Sequence, residues 1–220
     1  MPPHIRSHAA RAGLGLALFA QLFFGAPSST YGADAADFDK LKAGLQKIQG
    51  ETKKLTYAQR TWEKKGKDES SFRADCWWMG QTTIRMDIVE GNGKGGVAVL
   101  KNGKVTAFLK GILSFAKMTY DPGDKTVLGL RGNGMPQAGF MDDVKIILSN
   151  WDNGKVTFAD GNAVIDYMGP DRLPMKMWVQ SDGSMVVKTE SYEKGAMVMR
   201  SEYSRVNFAA SFDSGKIFDP

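Results

Sequence analysis

The sequence predicts a mainly β fold with helices, of the α+β kind. A curled antiparallel sheet forms an incomplete barrel, and two helices cap it. Three observations carry this expectation. Runs of alternating apolar and polar residues fill most of the chain, about six before residue 122 and about five after residue 154. Tight-turn pairs such as Asn102-Gly103, Asp160-Gly161, Asp182-Gly183 and Lys194-Gly195 punctuate them, so successive runs read as antiparallel neighbours. Helical spacing replaces the alternation twice, once before the first run and once midway. A meander of this length twists and cannot stay flat, so it curls, and the helices then cover its open mouth or concave face.

The opening helix places Phe38, Leu41, Leu45 and Ile48 on one face, with Asp37 and Asp39 in its first turn and Gly50 past its end. A strand over 55–62 follows. In the next, Phe72, Ala74, Cys76 and Trp78 alternate with Arg73 and Asp75. In the third, Ile84, Met86 and Ile88 alternate with Arg85 and Asp87. Strands over 97–101 and 105–110 flank Asn102-Gly103, and a further run covers 112–120. The glycine-rich stretch 128–136 reads as loop. Phe140, Val144, Ile147, Leu148 and Trp151 then give the second helix, over 140–151. Strands return over 156–159, 164–168, 175–180, 185–192 and 196–208.

Residues 1–35 read as a signal peptide. Arg6 and Arg11 precede an apolar run over 12–26, and Ala33-Asp34-Ala35 has the small-x-small form that a signal peptidase cuts. Cleavage there leaves residues 36–220 as a single domain; a cut after Tyr31-Gly32 is the alternative. The apolar run is shorter than the roughly 20 residues that span a bilayer. Export to the periplasm follows from this reading. No cysteine follows the cut, so no lipid anchor is expected there.

The function classes this composition excludes are informative. The net charge is +5, with both signs interleaved and no basic run, so no nucleic-acid partner is expected. Both histidines, His4 and His8, fall in the signal segment. A mature chain without histidine lacks the usual triads, proton shuttles and most zinc sites. Asp142-Asp143 in the second helix, and Asp121 and Asp124 beside a turn, read as solvated carboxylates. The stretch around Gly91 lacks the Lys-Ser/Thr ending of a phosphate cradle. No enzyme activity, cofactor or metal is expected. The one cysteine, Cys76, shares the apolar side of its strand and should be buried and unpaired.

What stands out is soft apolar surface. Of the 12 methionines, Met175, Met177, Met185, Met197 and Met199 crowd the last three strands. Methionine lines surfaces that accept variable apolar partners. The intervening Lys176, Lys188 and Arg200 belong on the wet face, and Trp178 shares that face with Lys176. Trp62, Trp78, Ile84, Met86, Phe108, Phe115, Trp151 and Phe158 add broad apolar area. Any one of them suits a filled core. Together, on a curled sheet, they point to a hydrophobic ligand cavity.

The order of motifs resembles the LolA-like periplasmic lipoprotein-sorting and lipoprotein carrier family. The likeness rests on the run Thr83-Ile84-Arg85-Met86-Asp87-Ile88-Val89-Glu90-Gly91 and on Lys101-Asn102-Gly103-Lys104-Val105. It extends to Leu173-Pro174, Ser181-Asp182-Gly183, Tyr203-Ser204-Arg205-Val206-Asn207-Phe208 and Ile217-Phe218-Asp219-Pro220. Gly80-Gln81-Thr82-Thr83 precedes Arg85 where the family carries a proline- and tryptophan-containing segment. The resemblance implies a helix-capped half-barrel enclosing lipid or lipoprotein acyl chains, served by an inner-membrane transporter and an outer-membrane acceptor. It also implies that Arg85 is a latch to the helical cover. By alternation alone, Arg85 faces away from the apolar side and pairs with Asp87 or a neighbouring carboxylate. Relatives of this fold also bind other lipids or act as envelope-stress sensors, so a sensor or interaction scaffold stays open as the alternative.

Overall fold

The computed structural model describes residues 35–80, 82–111, 116–137 and 139–219. The signal-peptide reading, over 1–35, lies outside them but for its last residue, and Phe115 lies outside them as well. Helix α1 (Ala35–Glu51) leads into β1 (Lys54–Lys65), β2 (Asp68–Met79), β3 (Thr83–Gly91), β4 (Gly96–Lys101), β5 (Lys104–Leu109) and β6 (Met118–Tyr120). Helix α2 (Phe140–Ser149) then precedes β7 (Lys155–Ala159), β8 (Asn162–Met168), β9 (Pro174–Gln180), β10 (Val186–Glu193) and β11 (Ala196–Asn207). A short helix, α3 (Ser214–Phe218), follows the last strand.

The strands form one 11-stranded antiparallel sheet in the order β6-β5-β4-β3-β2-β1-β11-β10-β9-β8-β7. Each half is a meander, as the turn pairs predict. The halves are not one continuous meander, however: β1 pairs with β11, with Gln59 opposite Tyr203 and Trp62 opposite Arg200. The chain therefore starts and ends the sheet at its centre, and among the described residues β6 and β7 are the edge strands. They do not pair with each other, so the barrel stays open. Irregular register at 56–58 of β1, 73–74 of β2, 186–188 of β10 and 191–192 of β10 sharpens the local twist that curls it.

Helices α1 and α2 fill the concave side of the C-terminal half. Leu41, Leu45, Phe140, Val144 and Ile147 are fully buried there, in one core with Ile165, Met177 and Val179. The seat of α1 needs two glycines. A Cβ on Gly44 would lie 2.3 Å from the Asp182 carbonyl oxygen, and one on Gly183 2.2 Å from that of Leu41. Helix and β9–β10 turn thus meet backbone to backbone, and Gly183 also has a positive φ of 74°. On α2, the Phe140 ring packs at 5.3 Å from Tyr203, 5.7 Å from Phe208 and 6.0 Å from Tyr57.

The short helix α3 is an addition to the two helices expected to cap the sheet. Five residues are too few to show a helical period, and its visible signal is its cap, where Asp213 accepts from the Gly215 and Lys216 amides. It packs on the convex face, burying Phe218 with Val97 and Val99 and against Trp77, Met79 and Phe212. Arg85 serves this helix. Its guanidinium is bidentate to Asp87 at 2.6 and 3.1 Å and donates to the Ile217 carbonyl at 2.9 Å. Lys110 completes the cluster, 2.7 Å from Asp87. Arg85 thus faces the convex side, as its alternation requires, and its contact is with α3 rather than with α1 or α2.

Cys76 is buried and free. Burial pushes its thiol well above the ordinary range.

Candidate functional site

Strand β1 shows how the site arises. Leu55, Tyr57, Gln59, Thr61 and Glu63 share its concave face and are all buried. Leu55 and Tyr57 lie in the hydrophobic core, and the three polar residues beyond them are buried beside open space. They lead out from under α2 into an open space of about 770 Å³ on the concave side of the N-terminal half. The walls are mostly apolar, with Phe72 of β2, Met86 and Ile88 of β3, Ala98 of β4, Ala107 of β5 and Met199 of β11 among them.

The glycine-rich loop between β6 and α2 forms the roof. Its residues Val127, Leu128, Gly129, Leu130 and Met135 border the space. Three tethers pin it. Leu130 N–H donates to Glu63 Oε2 at 2.7 Å. Arg131 donates to the Lys64 carbonyl at 2.8 Å and to Glu193 at 2.9 Å. Asn133 Nδ2 lies 3.2 Å from Met199 Sδ. Leu109 and Met118, also lining residues, are exposed and give the mouth an apolar rim on the β6 side.

Of the residues predicted to line a cavity, Met86 and Met199 do so; Phe108 borders the space, but it alternates with Ala107 and packs with Val97 and Val99 on the convex face. Trp78, Ile84, Met175 and Met177 are buried in the core on the same side of the sheet as Met86 and Met199. Phe158 stacks edge-on against Phe38 of α1 at 5.4 Å, and Lys42 lies 5.7 Å over the Trp151 ring. Met185 falls in the turn before β10 and is half-buried; Met197 is half-buried near the start of β11. Neither lines the space. Trp62 points to the convex face, where its ring nitrogen donates to Glu69. An even-numbered position on β1 cannot share a face with Tyr57 and Gln59. Trp178 is also convex, with Lys188 Nζ 3.6 Å from its ring centre, and Lys176 pairs with Asp166 at 3.3 Å.

Asp143 departs most from its solvated reading. It falls on the packed face of α2, three residues after Phe140 and four before Ile147, and is 8 % exposed. The Tyr203 hydroxyl donates to it at 2.6 Å, and Thr189 bonds to it as well. Burial outweighs these bonds and pushes the carboxyl up to about 7. A raised carboxyl pKa means the folded state holds the proton more tightly than the unfolded chain, so stability falls as pH rises from about 4 to 7. The slope is up to about 1.4 kcal/mol per pH unit. Urea midpoints measured across that window should decline for the parent. Asp143→Asn should remove this component, and parallel profiles for the two proteins would contradict the assignment.

No protein-family model matches the sequence, and no curated protein matches it at a significant level. Among solved structures the chain is similar to a LolA superfamily protein from Nitrosomonas europaea, at 12 % identity over 83 % of this chain and 96 % of that one (TM-score 0.41). It is similar to a putative outer membrane lipoprotein-sorting protein domain from Vibrio parahaemolyticus, at 10 % identity over 83 % and 97 % (TM-score 0.41). It is similar also to the Mycobacterium tuberculosis lipoprotein LppX, at 12 % identity over 82 % and 100 % (TM-score 0.40).

Proposed function

We propose that this chain is a periplasmic lipid-binding protein that takes lipid or lipoprotein acyl chains into the roofed cavity and carries them toward the outer membrane. The observation that carries the reading is the cavity itself. At about 770 Å³ it falls within the size range of small-molecule sites, and its walls are largely aliphatic and aromatic. Each buried methylene contributes about 0.8 kcal/mol. Association itself costs about 4–15 kcal/mol, so a long chain suits such a site far better than a short solute. The apolar rim at Leu109 and Met118 gives the chain a place to enter. A transporter in the inner membrane and an acceptor in the outer membrane are the partners such a carrier requires.

Native mass spectrometry of the protein purified from the periplasm tests the reading. The expected result is a lipid adduct, released at raised collision energy and identified in an organic extract. A protein that is ligand-free as isolated, and that gains no adduct when incubated with lipid, would instead be a sensor or interaction scaffold.

A further inference from the structure

The cavity is apolar in its walls but carries a row of hydrogen-bond acceptors along one strand. Gln59, Thr61 and Glu63 project into it from alternate positions of β1, and are 1 %, 4 % and 5 % exposed. Gln59 Nε2 donates to Thr61 Oγ1 at 3.0 Å. That bond leaves the Gln59 side-chain carbonyl oxygen buried with no partner. Buried acceptors in folded proteins are nearly always satisfied, and leaving one unpaired is costly. On a residue that lines a ligand cavity, such an unpartnered atom marks a place where a ligand donor could be accommodated.

Glu63 is the charged member of the row, and no other described residue lining the cavity carries a charge. Among the described residues its carboxylate meets no cation within ion-pair distance. The Leu130 N–H occupies one of its acceptor sites, and an ionised carboxylate offers about four. The roof closes tightly over it, since a Cβ on Gly129 would sit 2.9 Å from both of its oxygens. A buried carboxylate of this kind repels an anionic head and attracts a cationic one.

We propose that the cavity is selective for amine-bearing amphiphiles: a long-chain ligand whose primary ammonium pairs with Glu63, with a hydroxyl or amide donor reaching Gln59. The spacing suits two donors on one ligand, because positions four residues apart on a strand are about 13 Å apart. Free fatty acids, which present a carboxylate, are the ligands this arrangement rejects. The inference rests on the lipid-binding reading above and narrows it to a ligand class.

Oleylamine, oleyl alcohol and oleate share one chain and differ in the head, so they isolate its effect. Each is titrated at pH 7.5 against the protein loaded with the neutral fluorophore N-phenyl-1-naphthylamine. Oleylamine is expected to displace the probe at a concentration about tenfold or more below that of oleate, the effect of one modest ionic contact. In Glu63→Gln, which keeps an acceptor for the Leu130 amide, the amine-to-oleate ratio should fall to within about threefold of unity. The alcohol should hardly change. Oleate binding as tightly as the amine in the parent protein would overturn the proposal, and that comparison does not depend on any variant folding. A folded Glu63→Gln protein with an unchanged ratio would overturn it too. Equal displacement by all three would leave the acyl-chain cavity standing and remove its amine selectivity, whereas displacement by none would remove both.

Discussion

The double variant Ala98→Phe, Ala107→Trp is expected to lose affinity for acyl chains by about 100-fold while keeping its fold. Ala98 and Ala107 face each other across β4 and β5, and both line the cavity. Bulk added there displaces ligand rather than core, so the overpacking penalty of a filled interior does not arise. Excluding three or four methylenes, at about 0.8 kcal/mol each, removes about 2.4–3.2 kcal/mol, which corresponds to the stated loss. Probe displacement and urea denaturation together read the result. Unchanged lipid affinity in a folded double variant would mean that chains bind elsewhere.

Phe140→Ala is expected to destabilise the protein by about 3–5 kcal/mol, the usual cost of deleting a fully buried ring. Phe140 is 0 % exposed at the first position of α2, where its ring meets Tyr57, Tyr203 and Phe208. Its loss weakens the seat of the helix that also buries Asp143. A domain of this size has a total stability of about 5–15 kcal/mol, so the variant should unfold at markedly lower urea. A change under about 1 kcal/mol would show that α2 is held chiefly by other contacts.

Much of this architecture is written in local pattern. Two-residue alternation and the glycine turn pairs locate ten of the strands closely, and helical spacing locates α1 and α2. The edge strand β6 is less legible, with a described extent of three residues inside a run expected over 112–120. The pairing of β1 with β11 has no local signal, because it joins segments some 140 residues apart. Helix α3 is too short for periodicity to register.

The site was harder to read for a different reason. Large aromatic and methionine side chains draw attention, yet on this sheet most of them fill the core beneath α1 and α2. The cavity is walled instead by middling residues such as Ala98, Ala107 and Ile88, and its roof is a glycine-rich loop placed by Arg131 and Glu63. One signal was available. On β1 the concave face runs Leu55, Tyr57, Gln59, Thr61, Glu63, and that change from apolar to polar on one face marks where packed core gives way to open space. Strict parity also puts Trp62 on the far face from Tyr57 and Gln59. Asp143 was legible in the same way, since it falls with Phe140, Val144 and Ile147 at helical spacing.

Acyl chains are expected to enter the concave cavity of the N-terminal half, beneath the 127–135 loop. Photolabelling with a fatty amine that carries a diazirine near its chain terminus tests this most directly, with the modified residues mapped by peptide sequencing in a mass spectrometer. Labels are expected on Phe72, Met86, Ile88, Met199 or the roof loop, and an excess of unlabelled ligand should suppress them. Labels concentrated at Trp62 or Trp178 on the convex face, or scattered and insensitive to competitor, would mean that the chains bind outside this cavity.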